Sequence, residues 1–273
     1  MLKQRVLTAL FLLPLAMAAI FALPAQWFLV LLAVILLGGS WDYRRLAGFS
    51  GHPAGYLLVL VQAIILAILF SCRSHWDSDI LTYLCIICAA WLLMFVRLPL
   101  YRPAAHPDSA YRVVSFATAI VSVTTGWFAV CWIRIQADGA WLLLLLLLIV
   151  WAADTGAYFS GKAFGKKKLA PHISPGKTRA GLLGGLIAGP LIAVLAASLM
   201  PLHTIVPAGL VLVSLITVLA SVGGDLLISL HKRTSGFKDS SNLLPGHGGI
   251  LDRLDSLLAA APFFALGWLV LGI

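Results

Sequence analysis

Long apolar runs separated by short polar segments make up almost the whole chain. An α-helix needs about 20 apolar residues to cross the hydrocarbon core of a bilayer. On that rule the pattern predicts about nine membrane-spanning helices, at 6–23, 26–41, 55–71, 79–98, 112–133, 139–160, 181–201, 205–230 and 254–272. We therefore predict an all-α, polytopic integral membrane protein with the lipid bilayer as its environment.

Composition supports this fold class and a single domain. The 273 residues are 61% hydrophobic and 11% charged, whereas a soluble domain carries about 25% charged residues. No polar segment between the apolar runs is long enough to fold separately, so we predict one membrane domain over 1–273. Within it, the helices of 1–135 are expected to form a scaffold and dimer contact, and 136–273 to carry the chemistry. No nucleic-acid partner is expected.

The distribution of basic residues predicts the orientation in the membrane. With nine spans, 17 of the 19 Lys and Arg residues fall in segments on the same side as the N-terminus. Basic residues accumulate in cytoplasmic loops, so the N-terminus is predicted to lie inside and the C-terminus outside. The two longest loops of the inner face, 161–180 and 231–253, are both basic and are expected to meet at one site.

Charge is concentrated between Asp225 and Asp255. All ten acidic residues are Asp, and four of them lie in this window together with four basic residues. Asp154 and Asp225 fall within predicted spans, where an ionised carboxylate is unfavourable and usually marks a functional site. A structural hydrogen bond to a neighbouring helix is the alternative. Asp225 shares one helix stripe with Ser229 at i+4 and Lys232 at i+7.

A second acidic pair opens the last predicted span. Asp252 and Asp255 lie one turn apart, directly after Gly248 and Gly249. Free amides at a helix N-terminus suit phosphate, and Mg²⁺ is usually held by one or two carboxylates plus substrate phosphates. Asp225, Asp252 and Asp255 are therefore candidate metal ligands. Nearby cations suit the remaining phosphate charge, although a solvated basic loop is the alternative for them: Lys232, Arg233, Lys238 and Arg253.

The 161–180 loop contains Gly-Lys-Thr, which invites comparison with a phosphate-binding P-loop. The P-loop spacing requires Gly where Pro171 stands, and no strand is predicted before it, so we reject that interpretation. The local chemistry still suits phosphate and gives four candidate substrate-binding residues, namely Ser174, Gly176, Lys177 and Thr178.

The histidines have two expected roles. His247 and His172 are candidates for phosphate contact or loop support, whereas the other histidines, including His231, are expected at the surface or the membrane interface.

In the seventh predicted span, glycines recur at Gly181, Gly185 and Gly189. Glycine at this spacing lets helices approach closely, which favours packing within the chain, with a dimer contact as the alternative.

The C-terminal motif matches a known family over many fixed positions. It reads Ser229-x2-Lys232-Arg233-x4-Lys238-Asp239-x-Ser241-x2-Leu244-Pro245-x-His247-Gly248-Gly249-Ile250-x-Asp252-Arg253-Leu254-Asp255. This closely resembles the signature of the CTP:phosphatidate cytidylyltransferases (CDP-diacylglycerol synthases). The runs 154–159 and 173–178 are also similar to that family, and 41–48 matches it weakly. The chain departs from the family pattern at His231, where an apolar residue is usual, and at Arg179-Ala180, where an aromatic followed by Glu or Gln is common.

The resemblance implies a cytidylyltransfer from CTP to phosphatidate at the cytoplasmic face of the plasma (inner) membrane. It also implies Mg²⁺, a second cation and a homodimer, with Asp225 and Asp252 as principal metal ligands and Asp255 in support. The catalytic set would be Asp225, Lys232, Arg233, Lys238, Asp239, His247, Asp252, Arg253 and Asp255. The substrate-binding set would be Asp154, Ser174, Gly176, Lys177, Thr178, Ser229, Gly248 and Gly249.

Two alternatives stay open at this point. One is a CTP-dependent kinase or nucleotidyltransferase that acts on another lipid, such as a polyprenol or an ether lipid. The other is a transporter of an anionic solute or lipid, which would also explain buried Asp residues and basic loops. Transporters often repeat their polar features in two halves, whereas here these features are concentrated in the C-terminal half.

Overall fold

The computed structural model describes residues 2–100, 108–202, 207–241, 243 and 248–272, with side chains from residue 10 onward. Helices dominate this part of the chain, and one short β-hairpin interrupts them. The elements are α1 Leu2–Ala22, α2 Ala25–Leu46, α3 Pro53–Ser71, a 3₁₀ helix Arg73–Ser78, α4 Ile80–Phe95, α5 Arg97–Leu100, α6 Ser109–Ile135, α7 Gly139–Phe164, β1 Lys168–Ala170, β2 Ser174–Thr178, α8 Arg179–Leu199, α9 Pro207–Thr234 and α10 Leu251–Leu271.

The predicted fold class is confirmed. Among the described residues, eight helical segments are long and apolar enough to cross a membrane, counting α4 and α5 as the single segment Ile80–Leu100, and Leu10–Ala22 is a shorter apolar helix. Several ends differ from the predicted spans. In particular, α2 continues to Leu46 instead of ending at residue 41, so Asp42 is a helix residue.

The α7–α8 pair packs through small residues, as the glycine spacing predicts. A Cβ on Gly181 would lie 2.9 Å from the Ala157 carbonyl oxygen, and one on Gly185 would lie 3.0 Å from that of Ala153. Glycine therefore permits a close backbone approach between two helices of the same chain. This confirms the predicted packing within the chain.

The last helix, α10, packs against α9, α6 and α4. Where it crosses α9, a Cβ on Gly224 would lie 2.6 Å from the Asp255 carbonyl oxygen. This close crossing sets the neighbouring Asp225 beside the first turns of α10. The helices that carry the predicted acidic residues therefore meet.

The 161–180 segment is more ordered than the predicted loop. Strands β1 and β2 pair antiparallel, with Lys168 opposite Thr178, and Thr178 then caps α8 by accepting the Gly181 N–H at 3.0 Å. At the hairpin turn, Ile173 is buried against Leu226 and Leu230 of α9. The hairpin is thus fixed at both ends and brings its second strand to α9.

The prediction of a surface or interfacial His231 is wrong. The side chain is fully buried, and its Nδ1 lies 3.0 Å from the Tyr111 hydroxyl and 3.1 Å from the Ser115 hydroxyl. Helix α9 continues to Thr234, which turns position 231 toward α6 instead of toward solvent. His52 and His75 are exposed, as expected, and His172, a candidate for phosphate contact, is exposed as well. His106 and His203 lie outside the described residues.

Candidate active site

A lysine from the hairpin and a carboxylate from α9 form the first ion pair of the site. Lys177 Nζ lies 2.5 Å from Asp225 Oδ2, and the two side chains are 25% and 29% exposed. Ser229, one turn along α9, donates its hydroxyl to Asp225 Oδ1 at 3.1 Å. The predicted helix stripe is therefore present, and Asp225 keeps part of its surface open to a ligand.

A second pair joins the end of α9 to the start of α10. Lys232 Nζ lies 2.8 Å from Asp252 Oδ1, with side-chain exposures of only 13% and 5%. The other oxygen of Asp252 accepts the Ser240 N–H at 2.8 Å, the Ser240 hydroxyl at 2.9 Å and the Gly249 N–H at 3.0 Å. Asp252 is therefore held by a lysine and three hydrogen bonds.

Asp255 lies one turn further along α10 and is buried. Its Oδ1 accepts the Ser256 N–H at 2.7 Å, and Asp225 and Lys232 both act on it electrostatically. Two carboxylates from different helices thus share one region with a lysine. Such a grouping attracts a cation, because two neighbouring carboxylates repel each other and a positive charge between them reduces this repulsion.

The donor set fits a hard divalent cation that is shared with a phosphate. Among the described residues, no three His, Cys, Asp or Glu side chains converge closely enough to hold a metal by themselves. Mg²⁺ does not require this, because one or two carboxylates and substrate phosphates suffice. Asp225, half-buried and next to Asp255, offers the accessible oxygens for such a site.

A cleft of about 410 Å³ opens between α7, α8, the hairpin and α9. Its wall includes Lys162, Lys168 and Lys177, together with Asp154 and Tyr158. Asp154 is exposed and within electrostatic reach of both Lys177 and Asp225. Lys177 belongs both to the cleft wall and to the first ion pair, so the cleft borders the Lys177–Asp225 pair.

The other predicted residues of the hairpin and α9 have varied surroundings. Ser174 is half-buried in β2, Gly176 is exposed, and Thr178 is buried as the α8 cap. Arg233 is exposed and donates its Nε–H to the Ile173 carbonyl at 3.2 Å, so it contacts the hairpin turn. A phosphate-binding role is therefore better supported for Lys177 than for Thr178.

The residues between α9 and α10 lie mostly at the surface. Lys238, Asp239 and Arg253 are exposed. Gly248 has φ +82°, a conformation that side chains disfavour, and the Gly249 N–H is directed to Asp252. His247 lies outside the described residues, and its predicted role stays a prediction.

Sequence reasoning missed two residues of this network, Asp42 and Ser240. Asp42 is fully buried, and its Oδ2 accepts the Leu251 N–H at 3.3 Å and the Ser240 hydroxyl at 3.4 Å. The weak motif match at 41–48 was the one signal for Asp42. Ser240 had none, because a serine in a polar loop resembles any other.

The membrane-spanning helices and the paired lysine–carboxylate site suit a membrane-embedded nucleotidyltransferase, and the family and the relatives show that the chain is an enzyme of this class. The chain belongs to the cytidylyltransferase family, whose sequence profile matches residues 3–270. It is 36% identical to the phosphatidate cytidylyltransferase of Pseudomonas aeruginosa, over 97% of this chain and 96% of that protein. It is 34% identical to the phosphatidate cytidylyltransferase of Haemophilus influenzae, over 97% and 98% of the two chains. Cytidylyltransferases generally use divalent cations.

Proposed function

We propose that the chain transfers the cytidylyl group of CTP to phosphatidate, giving CDP-diacylglycerol and diphosphate for phospholipid biosynthesis. A phosphate oxygen of phosphatidate attacks the α-phosphorus of CTP and forms the new P–O bond. The bond from the α-phosphorus to the bridging oxygen breaks, and diphosphate leaves with that electron pair. The names of the full-length relatives support this choice of substrates.

The observation that carries the proposal is the meeting of two lysine–carboxylate pairs beside a basic cleft. Both reactants are anions, so charge neutralisation and alignment supply most of the catalysis. Lys177 and Lys232 are the cations nearest the carboxylates and are assigned to phosphate oxygens. The attacking phosphate is already ionised at neutral pH, so no strong base is required.

Asp225, Asp252 and Asp255 are assigned to hold Mg²⁺, with a second cation nearby. Such an ion would supply positive charge that offsets the repulsion between the two anionic reactants. Asp225 is the most accessible of the three carboxylates, and Asp252 is the most firmly held. Asp239, Lys238 and Arg253 are assigned to the loop surface that faces the nucleotide.

The site is assigned to the cytoplasmic face of the inner membrane. The hairpin between α7 and α8 contacts the C-terminal end of α9, which supports a common face for both basic loops. Phosphatidate then enters sideways from the inner leaflet, past the exposed side chains of Tyr158 and Phe159. Two copies are assigned to a homodimer through the helices of 1–135.

The test is product formation by purified protein in detergent micelles, with phosphatidate and cytidine-labelled CTP. We expect CDP-diacylglycerol and an equal amount of diphosphate in Mg²⁺, and neither product in EDTA. Polyprenols and ether-lipid phosphates are assayed in parallel as substrates. Formation of CDP with a phosphorylated lipid would instead identify a kinase, and lipid movement across sealed vesicles without CTP turnover would identify a transporter.

A further inference from the structure

Asp42 is a buried acid in the region 1–135, which is expected to form the scaffold and the dimer contact. Its side chain is 0% exposed. Within the described part of the chain, no Lys, Arg or His nitrogen pairs with it, and its Oδ1 accepts no hydrogen bond. Burial of a carboxylate without a counter-ion is strongly unfavourable. The hydrogen bonds that its other oxygen accepts therefore indicate why an acid is present at this position.

Those contacts are made to the start of α10. Helix α10 begins at Leu251, and the residue before it provides no side-chain cap. The first amides of a helix lack partners within the helix, and Asp42 Oδ2 accepts the Leu251 N–H at 3.3 Å. Asp42 thus caps α10 from a different helix, and its negative charge suits the positive end of the helix dipole.

The same oxygen is linked to Asp252 through Ser240. The Ser240 hydroxyl lies 2.9 Å from Asp252 Oδ2 and 3.4 Å from Asp42 Oδ2. The hydroxyl group of Ser240 can therefore donate its hydrogen to either carboxylate and links the two. Gly249 completes the group, because an added Cβ would collide with Asp42, Ser240 and Ser241. Displacement of Asp42 would therefore be transmitted to the loop that orients Asp252.

We propose that Asp42 is a positioning residue for the transfer reaction, fixing the start of α10 and thereby the Asp252 carboxylate. This inference rests on the proposed function. Groups that orient metal ligands typically change metal affinity or activity by about 10–100-fold when they are removed. The effect of Asp42 should therefore appear in the dependence on the divalent cation.

Two substitutions separate positioning from folding. Asp42→Leu removes the acceptor and the buried charge and keeps the branched arrangement of the side-chain heavy atoms. Asp42→Asn keeps an oxygen for the Leu251 N–H. Ser40→Ala is the matched control, because Ser40 is also buried in α2 and donates to Leu36 of its own helix at 3.2 Å.

For Asp42→Leu we expect a folded protein whose half-saturating Mg²⁺ concentration rises about 10–100-fold. The half-saturating Mg²⁺ concentration of Asp42→Asn should lie close to that of the wild type, and that of Ser40→Ala should equal it. A second readout is independent of turnover. Mn²⁺ binding in the presence of CTP, measured by electron paramagnetic resonance, should be weakest in Asp42→Leu, nearly normal in Asp42→Asn and unchanged in Ser40→Ala. If Asp42→Leu is not stable enough to purify, Asp42→Ala replaces it.

A variant without the acceptor that folds and keeps wild-type Mg²⁺ and Mn²⁺ dependence would overturn the inference. So would a loss of activity that only follows the loss of folded protein. Failure of the proposed function has a different appearance, because the wild type itself would then form no CDP-diacylglycerol at any Mg²⁺ concentration. The two failures are therefore distinguishable in one set of assays.

Discussion

The two lysine–aspartate pairs of the site have similar chemistry but different surroundings. Lys177–Asp225 joins a surface hairpin to α9, and about a quarter of each side chain is exposed. Lys232–Asp252 joins the end of α9 to the start of α10 through two largely buried side chains, and Asp252 accepts three further hydrogen bonds. The first pair can exchange partners at low cost, because it is solvated and has few other contacts.

This difference suggests a division of roles in the proposed reaction. Asp252 is held in one position and provides a fixed reference for the cation. Lys177 lines the cleft, where a phosphate can replace Asp225 as its partner and free that carboxylate for the cation. Preorganised charge is effective because little reorganisation is needed during the reaction, whereas substrate entry requires a group that can move.

Substitution of the fixed pair should have the largest effect. In Asp252→Asn, Lys232 loses its ion-pair partner at a largely buried position, and breaking a buried pair costs about 3–5 kcal/mol. We expect a fall in activity of at least about 100-fold and a clear fall in Tm, measured by tryptophan fluorescence in detergent. Asp79→Asn, at an exposed position near the start of α4, is the control. Near-normal activity of Asp252→Asn would remove Asp252 from the mechanism.

The exposed pair should respond differently. Asp225→Asn keeps one oxygen but loses the charge that attracts the cation, so activity should fall about 10–100-fold, the range known for groups that support a metal site. Its Tm should change little, because a solvated ion pair contributes about 0–1 kcal/mol. The same assays and melting curves test both variants. A Tm loss as large as that of Asp252→Asn would show that the two pairs do not differ in the way proposed here.

Substitution of two glycines tests the difference between the packed surroundings of Asp252 and the open surroundings of Lys177 without removing a charge. In Gly249→Ala the new Cβ would collide with Asp42, Ser240 and Ser241, and such overpacking typically costs about 1–3 kcal/mol. Gly176 has no atom within 4 Å of an added Cβ, so Gly176→Ala should leave Tm nearly unchanged. Equal melting temperatures for the two variants would contradict tight packing around Gly249.

The helices and the acidic residues at α9 and α10 were predictable because each signal is local. An apolar run of sufficient length predicts a span, and Asp225, Asp252 and Asp255 stand out against apolar sequence. The hairpin was missed because Lys168–Ala170 and Ser174–Thr178 are too short and polar to show an alternating pattern. Asp42 and His231 depend on contacts between distant helices, which no local pattern contains.

The smallest effect is expected at His231, next to Lys232. Its Nε2 is buried and accepts or donates no hydrogen bond within the described residues, a cost of about 1–3 kcal/mol for such a group. His231→Leu removes this cost but also removes the contacts of Nδ1 to Tyr111 and Ser115. The Tyr111 hydroxyl keeps its bond to the Leu46 carbonyl at 2.9 Å, so the opposing terms nearly cancel.

We therefore expect His231→Leu to change the free energy of unfolding by less than about 1 kcal/mol and to leave activity close to that of the wild type. Tyr111→Phe is the comparison, because it loses the bond to Leu46 as well and should melt at a lower temperature. Both are measured by fluorescence melting and CDP-diacylglycerol formation. A large activity loss in His231→Leu with unchanged Tm would mean that the end of α9, and not only the Asp252 carboxylate, orients Lys232.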